Sequence, residues 1–427
     1  MNLEIYKLSR KIAVFMSMFL SFKLLFDGDL WRATLNIFLF LLFYVTSLLY
    51  ENRYKRITVS YIFIFFVIYI AYTWSPGYFT QKLIDELIAN GENWARHDYY
   101  YSVYFPSSAI FYIITIIYLK YFVKSKIHVG DIYGRVSHFN FLIGGGVTLI
   151  LYLIVGFQYE FVIPYFAFCF FMFFYKKNTM IVRRVYFCLI ILLPLIFVDI
   201  FIHRYKVIGI IFPMLMIYLM LTDESKKNSV FKSKLIIILG LFFVLIYGVL
   251  SELHKLNVFY SSNYDVLSVI SDGELLSKFI KNQFERVFSV WVTLGGFIIE
   301  HVERNEFYYG ITYIKFLSEW LGFEYVSLPI ITAKYNLSSY AQPGLIAEGY
   351  ANFHIIGAVL NILVVFFLME FFIRKYYAKP SVLRLLLMTV PFTKIILDGG
   401  SVNSAIYLIL ICAIFSMLNL FSKYFKI

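Results

Sequence analysis

Apolar residues in this chain run in long unbroken stretches set off by short polar breaks, as in 185–202 (VYFCLIILLPLIFVDIFI) and 235–250 (LIIILGLFFVLIYGVL). Strands of an outer-membrane barrel alternate polar and apolar positions over short segments, so continuous runs point to helices. About 20 apolar residues in a helix cross ~30 Å of hydrocarbon. Charged breaks delimit spans near 11–27, 33–50, 57–74, 106–123, 139–157, 160–175, 185–202, 207–221, 235–250, 350–373, 382–398 and 404–422. The fifth and sixth are separated by little more than GFQYE, which makes them a tight hairpin. The pattern predicts an all-α polytopic membrane protein with about twelve transmembrane helices.

Two polar intervals break the rhythm, near 75–105 and 251–349. They divide the chain into nine spans over 1–250, a large loop over 251–349 and three spans over 350–427. Connections in compact bundles are short, so a long loop on one side implies a function there. The loop has its own periodicity. Leu276, Phe279, Ile280, Phe284, Phe288 and Trp291 fall on one helical stripe, and Asp272 is placed to cap its start. That predicts an interfacial amphipathic helix. LIDELI at 83–88 is a smaller version in the first long interval.

Composition agrees with this class: 61% of the 427 residues are hydrophobic and 15% charged, whereas soluble domains are roughly half apolar and a quarter charged. Cys169, Cys188 and Cys412 lie inside apolar spans at no redox or metal spacing. The basic start followed by an apolar run lacks an A-x-A-like cleavage site and reads as an uncleaved first helix. Lys and Arg collect in alternate loops, at Lys7–Lys11, Arg53–Arg56, Lys120–Arg135, Lys176–Arg184, Lys226–Lys234, Arg374–Arg384 and Lys423–Lys426. By the positive-inside rule these are cytoplasmic, with both termini inside and the loop between the ninth and tenth spans outside. The net charge of +12 then reflects topology and gives no ground for nucleic-acid binding.

Charges near membrane depth cost about 2.5–3.5 kcal/mol on insertion scales, so each asks for a reason. The seventh span ends with Asp199, His203, Arg204 and Lys206. Cations snorkelling to the interface would explain them, yet this short outer turn otherwise has no reason to be basic. Arg286 stands among aromatic residues in QFERVFSVW, where lipid phosphate is its simplest partner. Glu300, His301 and Arg304 follow in IIEHVERNEF, which reads equally as a solvated face. In QPGLIAEGYANF, Glu348 falls about one turn inside the tenth span, and Asn352 is four residues further on the same face. Glu348 is well placed to take a proton from a hydroxyl at the surface. A carboxylate there also simply complements the helix dipole. Lys394 and Asp398, four apart in the eleventh span, form a structural pair. Lys23 snorkels from the first span, and the glycines at 144–146 serve close helix packing.

The layout resembles a known family. The outer loop opens with Arg286, contains Tyr308-Tyr309-Gly310 and Leu328-Pro329, and closes on P-G-x-x-x-E-x-Y-x-N-F at 343–353. Over roughly 185–420 this is similar to the Wzy-type O-antigen or oligosaccharide repeat-unit polymerases. The His203-Arg204 turn resembles the outer Arg turn of that family and of O-antigen ligases. One departure is His354, where the family commonly has glycine. The resemblance implies a lipid-linked-donor glycosyltransferase architecture in a bacterial inner membrane. It implies transfer of a growing glycan from undecaprenyl pyrophosphate to a hydroxyl of a second lipid-linked repeat unit. Arg204, Arg286 and Arg304, with His203, would hold the pyrophosphate, since guanidinium forks suit such anions. Glu348, or His301, would assist the hydroxyl, and Tyr350 and Asn352 would bind sugar hydroxyls. No metal or cofactor is required, and a chain-length regulator is an expected partner.

Two alternatives stay open. An O-antigen ligase uses the same donor with a lipid A-core acceptor. A flippase for lipid-linked repeat units also has about twelve helices, but it would keep its loops short and line a central cavity with charge. A membrane O-acyltransferase would need an intramembrane His, and none stands out.

Overall fold

A computed structural model describes residues 28–54, 97–122, 163–174, 290–328, 344–378 and 382–397, most of 10–26, and isolated positions near 180–188, 217, 271–277, 330–331 and 402–413. Regular structure among the described residues is helical, with no strand. The elements are α1 (Leu30–Tyr54), α2 (His97–Tyr121), α3 (Ile163–Phe174), α4 (Val290–Arg304), α5 (Lys315–Trp320), α6 (Leu345–Ala378) and α7 (Val382–Leu397). Three helical stretches are long and apolar enough to cross a membrane: Leu30–Glu51, Tyr101–Tyr121 and Leu345–Tyr376. They match the second, fourth and tenth spans expected from hydropathy, while α3 and α7 match the sixth and eleventh. The spans expected near 57–74, 139–157, 207–221 and 235–250 lie wholly or almost wholly outside the described residues, as does LIDELI at 83–88.

The chain clusters into two compact units. The first comprises Met1–Lys126, Phe284–Leu368 and Asp398–Asn403. In it α1 packs on α2, and α2 on α4. Asp29 starts α1 by accepting the Arg32 N–H at 3.0 Å, which satisfies one of the amide donors every helix leaves free at its N-terminus. The helical residues of 10–26 are tied to α1 by polar contacts. Asn36 Nδ2 donates to Ser21 Oγ at 2.9 Å, and Arg10 pairs with Glu51 at 2.6 Å. Rings carry much of the remaining packing. Phe111 and Tyr118 of α2 meet Phe366 edge-on at centroid distances of 5.6 and 6.1 Å.

α4 begins where the stripe expected to form an interfacial helix ends, and it buries apolar residues of its own. Ile298, Ile299 and Val302 are fully buried, and the helix rests on α2. The Asp272 cap is present, with Asp272 Oδ1 accepting the Glu274 N–H at 3.0 Å. The expected stripe from Leu276 to Phe288 lies outside the described residues.

The second unit comprises Ile127–Gln283, Met369–Leu397 and Ser404–Ile427, and within it α3 packs on α7. Glu370, which is 1% exposed, pairs with Arg374 at 2.8 Å, so this buried carboxylate has its countercharge one turn away. Lys394 belongs to α7, but its expected partner Asp398 lies outside the described residues, as do Lys23 and the glycines at 144–146.

α6 departs most from a simple span. Helical geometry breaks at Phe353 (φ −143°, ψ 33°) and His354 (φ 57°, ψ −154°). The arm before the break, 345–352, folds back along the arm after it. Asn361 Nδ2 donates to Leu345 O at 3.1 Å, and the backbones of Gly349 and Gly357 touch. Both contacts are symmetric about Phe353, as an antiparallel helical hairpin requires. The second arm, 355–378, spans roughly 36 Å at 1.5 Å per residue and is long enough to cross a bilayer alone. Ile356, Leu360, Val364, Phe367 and Phe371 make an exposed apolar stripe down it. Water would penalise such a stripe, whereas lipid makes it an ordinary outer face.

Candidate functional site

The blunt end of the first α6 arm is the structural centre of the first unit's polar residues. A helix C-terminus leaves its last carbonyls without partners. Here the turn after α4 supplies them: Tyr308 N–H donates to Ala351 O at 2.9 Å and Tyr309 N–H to Asn352 O at 3.2 Å. Gly310 N–H then donates to Asn352 Oδ1 at 2.7 Å. Three successive amides converge on one helix end because the turn passes through left-handed backbone, with φ of 48° at Tyr309 and 97° at Gly310. Gly310 suits that geometry because it has no Cβ to clash.

Asn352 is fully buried and uses both ends of its amide. Its Nδ2 donates to Thr312 Oγ1 at 2.6 Å and to Glu348 O at 2.8 Å. Deeper in, Tyr313 Oη donates to Asn361 Oδ1 at 2.7 Å, and Asn361 in turn holds Leu345 O. Burial, and then the Glu348 carboxylate, push the Tyr313 phenol above its ordinary pKa, so it stays a donor. Glu348 is 2% exposed and accepts the Val402 N–H at 2.8 Å through Oε2. The carboxylate that sequence singles out as a base is thus sealed beneath the junction.

The outer side of the junction is open. Tyr350 Oη donates to Glu303 Oε1, and His354 Nε2 lies 3.7 Å from the same oxygen. The Tyr350 and His354 rings are 4.7 Å apart, and Phe307 closes the group edge-on to both at 5.9 and 5.6 Å. The side chain of Glu303 is 40% exposed and that of His354 57%. His354 holds this place at positive φ, where the resemblance has glycine. For any residue with a Cβ that conformation costs roughly 1–3 kcal/mol.

Of the residues expected from sequence, Glu348, Tyr350 and Asn352 share the first α6 arm, while His301 and Arg304 sit on the last turn of α4. Glu303, between the latter two, joins α4 to that arm through Tyr350. Arg304 pairs with Glu300 at 2.5 Å yet remains 62% exposed, within reach of an anion. His301 stacks on Phe297 at 6.2 Å and is approached by Asn305 Nδ2 at 3.4 Å. His203, Arg204 and Arg286, with Asp199 and Lys206, lie outside the described residues. Sequence reasoning passed over Glu303 as part of a charged string, and took His354 only as a departure. The one available signal was that Tyr350 and His354 stand four apart, a spacing that brings rings together.

A carboxylate and an imidazole exposed side by side, with a buried phenol donating to the carboxylate, can accept, hold and release a proton. Among the described residues no three His, Cys, Asp or Glu side chains gather as a metal site would need. No curated protein and no solved structure matches the chain. The model of a family described as a family of unknown function (DUF6032) matches residues 1–427, and the chain belongs to that family.

Proposed function

We propose that this chain is a polytopic inner-membrane glycosyltransferase that joins undecaprenyl-pyrophosphate-linked oligosaccharide repeat units into O-antigen or a related surface polysaccharide. In this reading about twelve helices cross the membrane, both termini are cytoplasmic, and transfer takes place at the periplasmic face. One observation supports it above the others. Tyr308–Gly310 and Glu348–Phe353, two separate motifs on which the resemblance rests, are hydrogen-bonded to each other across about forty residues of sequence. Motifs that meet in space at an open junction behave as parts of one site.

The proposed chemistry has three needs. Arg204, Arg286 and Arg304, with His203, would carry the pyrophosphate and the charge that grows on it as the glycosidic bond breaks. Tyr350 would border the sugar, Asn352 would hold the turn beside it from within, and apolar helix faces would receive the polyprenyl chains. The attacking hydroxyl must lose a proton. Sequence offers Glu348 and His301 for this, and the burial of Glu348 favours a neighbour with open access.

Deletion of the gene tests the reading through the banding of cell-surface lipopolysaccharide. A polymerase defect leaves core carrying a single repeat, and Arg286→Ala expressed in the deletion strain should reproduce that pattern. Loss of a charge-stabilising donor lowers transfer about 10²–10³-fold, enough to erase long-chain bands. Bare core after deletion would instead indicate a ligase or flippase. Modal-length polymer persisting in Arg286→Ala would remove the pyrophosphate role.

A further inference from the structure

We propose that Glu303 is the proton acceptor for the attacking sugar hydroxyl, and that His354 is the positioning residue that keeps Glu303 ready for it. The inference rests on the glycosyl-transfer reading and adds two residues that the sequence did not assign. It starts from the backbone. His354 occupies φ 57°, ψ −154°, a region that residues with a Cβ rarely adopt. The α6 hairpin needs a sharp reversal at this point, and glycine would provide it without strain. A histidine in that place costs stability, and a side chain that costs stability is explained by what it touches.

What it touches is Glu303. From α4, Glu303 Oε1 faces His354 Nε2 at 3.7 Å. From the same arm, Tyr350 donates its hydroxyl to that oxygen, and from the turn after α4 the Phe307 ring packs on both Tyr350 and His354. Among the described residues, Glu303 and Tyr350 are therefore the titratable groups that face the imidazole, and Phe307 is its uncharged wall. The carboxylate is oriented by two neighbours, and its side chain remains 40% exposed. A hydroxyl on a bulky glycan can approach it there. Proton transfer at such a positioned group supplies typically 10²–10⁴-fold in rate.

The acceptor oxygen forms a bond to the donor's anomeric carbon while the bond from that carbon to the pyrophosphate oxygen breaks. The electron pair leaves with the pyrophosphate, which the arginines receive. The acceptor's proton passes to the Glu303 carboxylate and from there to solvent, and the side chain returns to its starting state. The products are the lengthened lipid-linked glycan and free undecaprenyl pyrophosphate.

The test uses the full chain in phosphatidylethanolamine–phosphatidylglycerol vesicles with lipid-linked repeat units extracted from a deletion strain. Glu303→Gln keeps an acceptor for Tyr350 and should slow polymer formation at least 100-fold while eluting as folded protein. His354→Gly should melt about 2–4 °C above His354→Ala, because both lack the imidazole and only glycine accepts the backbone. His354→Gly should also polymerise at least tenfold more slowly than the native chain, with the loss in kcat and the KM for the lipid-linked repeat unit unchanged. A native kcat in His354→Gly, or a native rate in Glu303→Gln, would overturn the assignment. So would a His354→Gly melting point at or below that of His354→Ala, since the strain would then be absent. If the native chain makes no polymer in these vesicles, the glycosyl-transfer reading fails and the role of the pair goes with it.

Discussion

Replacing Gly357 with valine should leave no folded protein. A Cβ at Gly357 overlaps the Gly349 carbonyl oxygen, and a Cβ at Gly349 overlaps the Gly357 carbonyl and comes within 2.8 Å of the Ala358 Cα. These neighbours are backbone atoms of two helical arms, so no side chain can swing aside. The arms would have to separate, which breaks the Asn361 bond to Leu345 O and opens a layer in which Leu345, Ile346, Ala347, Ala351, Ala358 and Ile362 are buried. Backbone overlap with loss of such a layer belongs among the largest single-site effects, about 4–5 kcal/mol or more, comparable to the whole stability of a small domain. In fluorescence-detected gel filtration of a tagged, detergent-solubilised chain, Gly357→Val and Gly349→Val should lose the monodisperse peak. Gly357→Ala should already lower the melting point by several degrees. Gly273 provides the control, since nothing lies within 4 Å of a Cβ there, and Gly273→Ala should behave as native. A monodisperse Gly357→Val with a near-native melting point would mean that the hairpin does not form.

That hairpin also marks where the sequence stops being legible. Hydropathy locates helices because burial in lipid depends on side-chain type alone, and α1, α2, α3, α6 and α7 all fall on runs that the pattern predicts. It says nothing about direction. From Leu345 to Tyr376 the chain is strongly apolar on average despite Glu348, Asn352 and Asn361, so the reversal at Phe353 and His354 leaves no trace in that average. What betrays it is paired spacing. Gly349 and Gly357 stand four residues either side of Phe353, and Leu345 and Asn361 eight. Such symmetry becomes meaningful only once a turn is suspected. The expectation that Glu348 lies one turn inside a membrane-entering helix has the same origin. Glu348 is on a helix, but one that lies against the span, and it is buried there.

The candidate site divides along similar lines. Tyr350 and Asn352 were legible as polar positions in an apolar setting, and both take part in the junction with the turn after α4. Glu303 was not, because a carboxylate in IIEHVERNEF looks like its charged neighbours until a tertiary partner selects it. α4 shows the same limit, since its composition supplies apolar residues but names no partner for them. Whether these meet lipid headgroups or another helix depends on neighbours remote in sequence, and here the helix meets α2.

Asn352→Leu offers the sharpest separation of a structural from a sugar-binding role. The side chain is similar in length and would pack, but it can neither accept the Gly310 N–H nor donate to Thr312 Oγ1 and Glu348 O. Each buried polar group left without a partner costs roughly 1–3 kcal/mol, and Thr312, 3% exposed, would lose its Asn352 donor. The turn through Tyr308–Gly310 would lose its anchor on the α6 arm, and Glu303 would lose its fixed relation to Tyr350. The expected result is a melting point many degrees below native, together with loss of polymer. Asn352→Asp keeps the acceptor for Gly310 but turns oxygens toward the Glu348 carbonyl, so it should also be destabilised. If Asn352 served only to bind a sugar hydroxyl, Asn352→Leu would retain the native melting point and lose activity alone. The buried geometry predicts that the two fall together, because an amide with three internal partners has none left for a substrate.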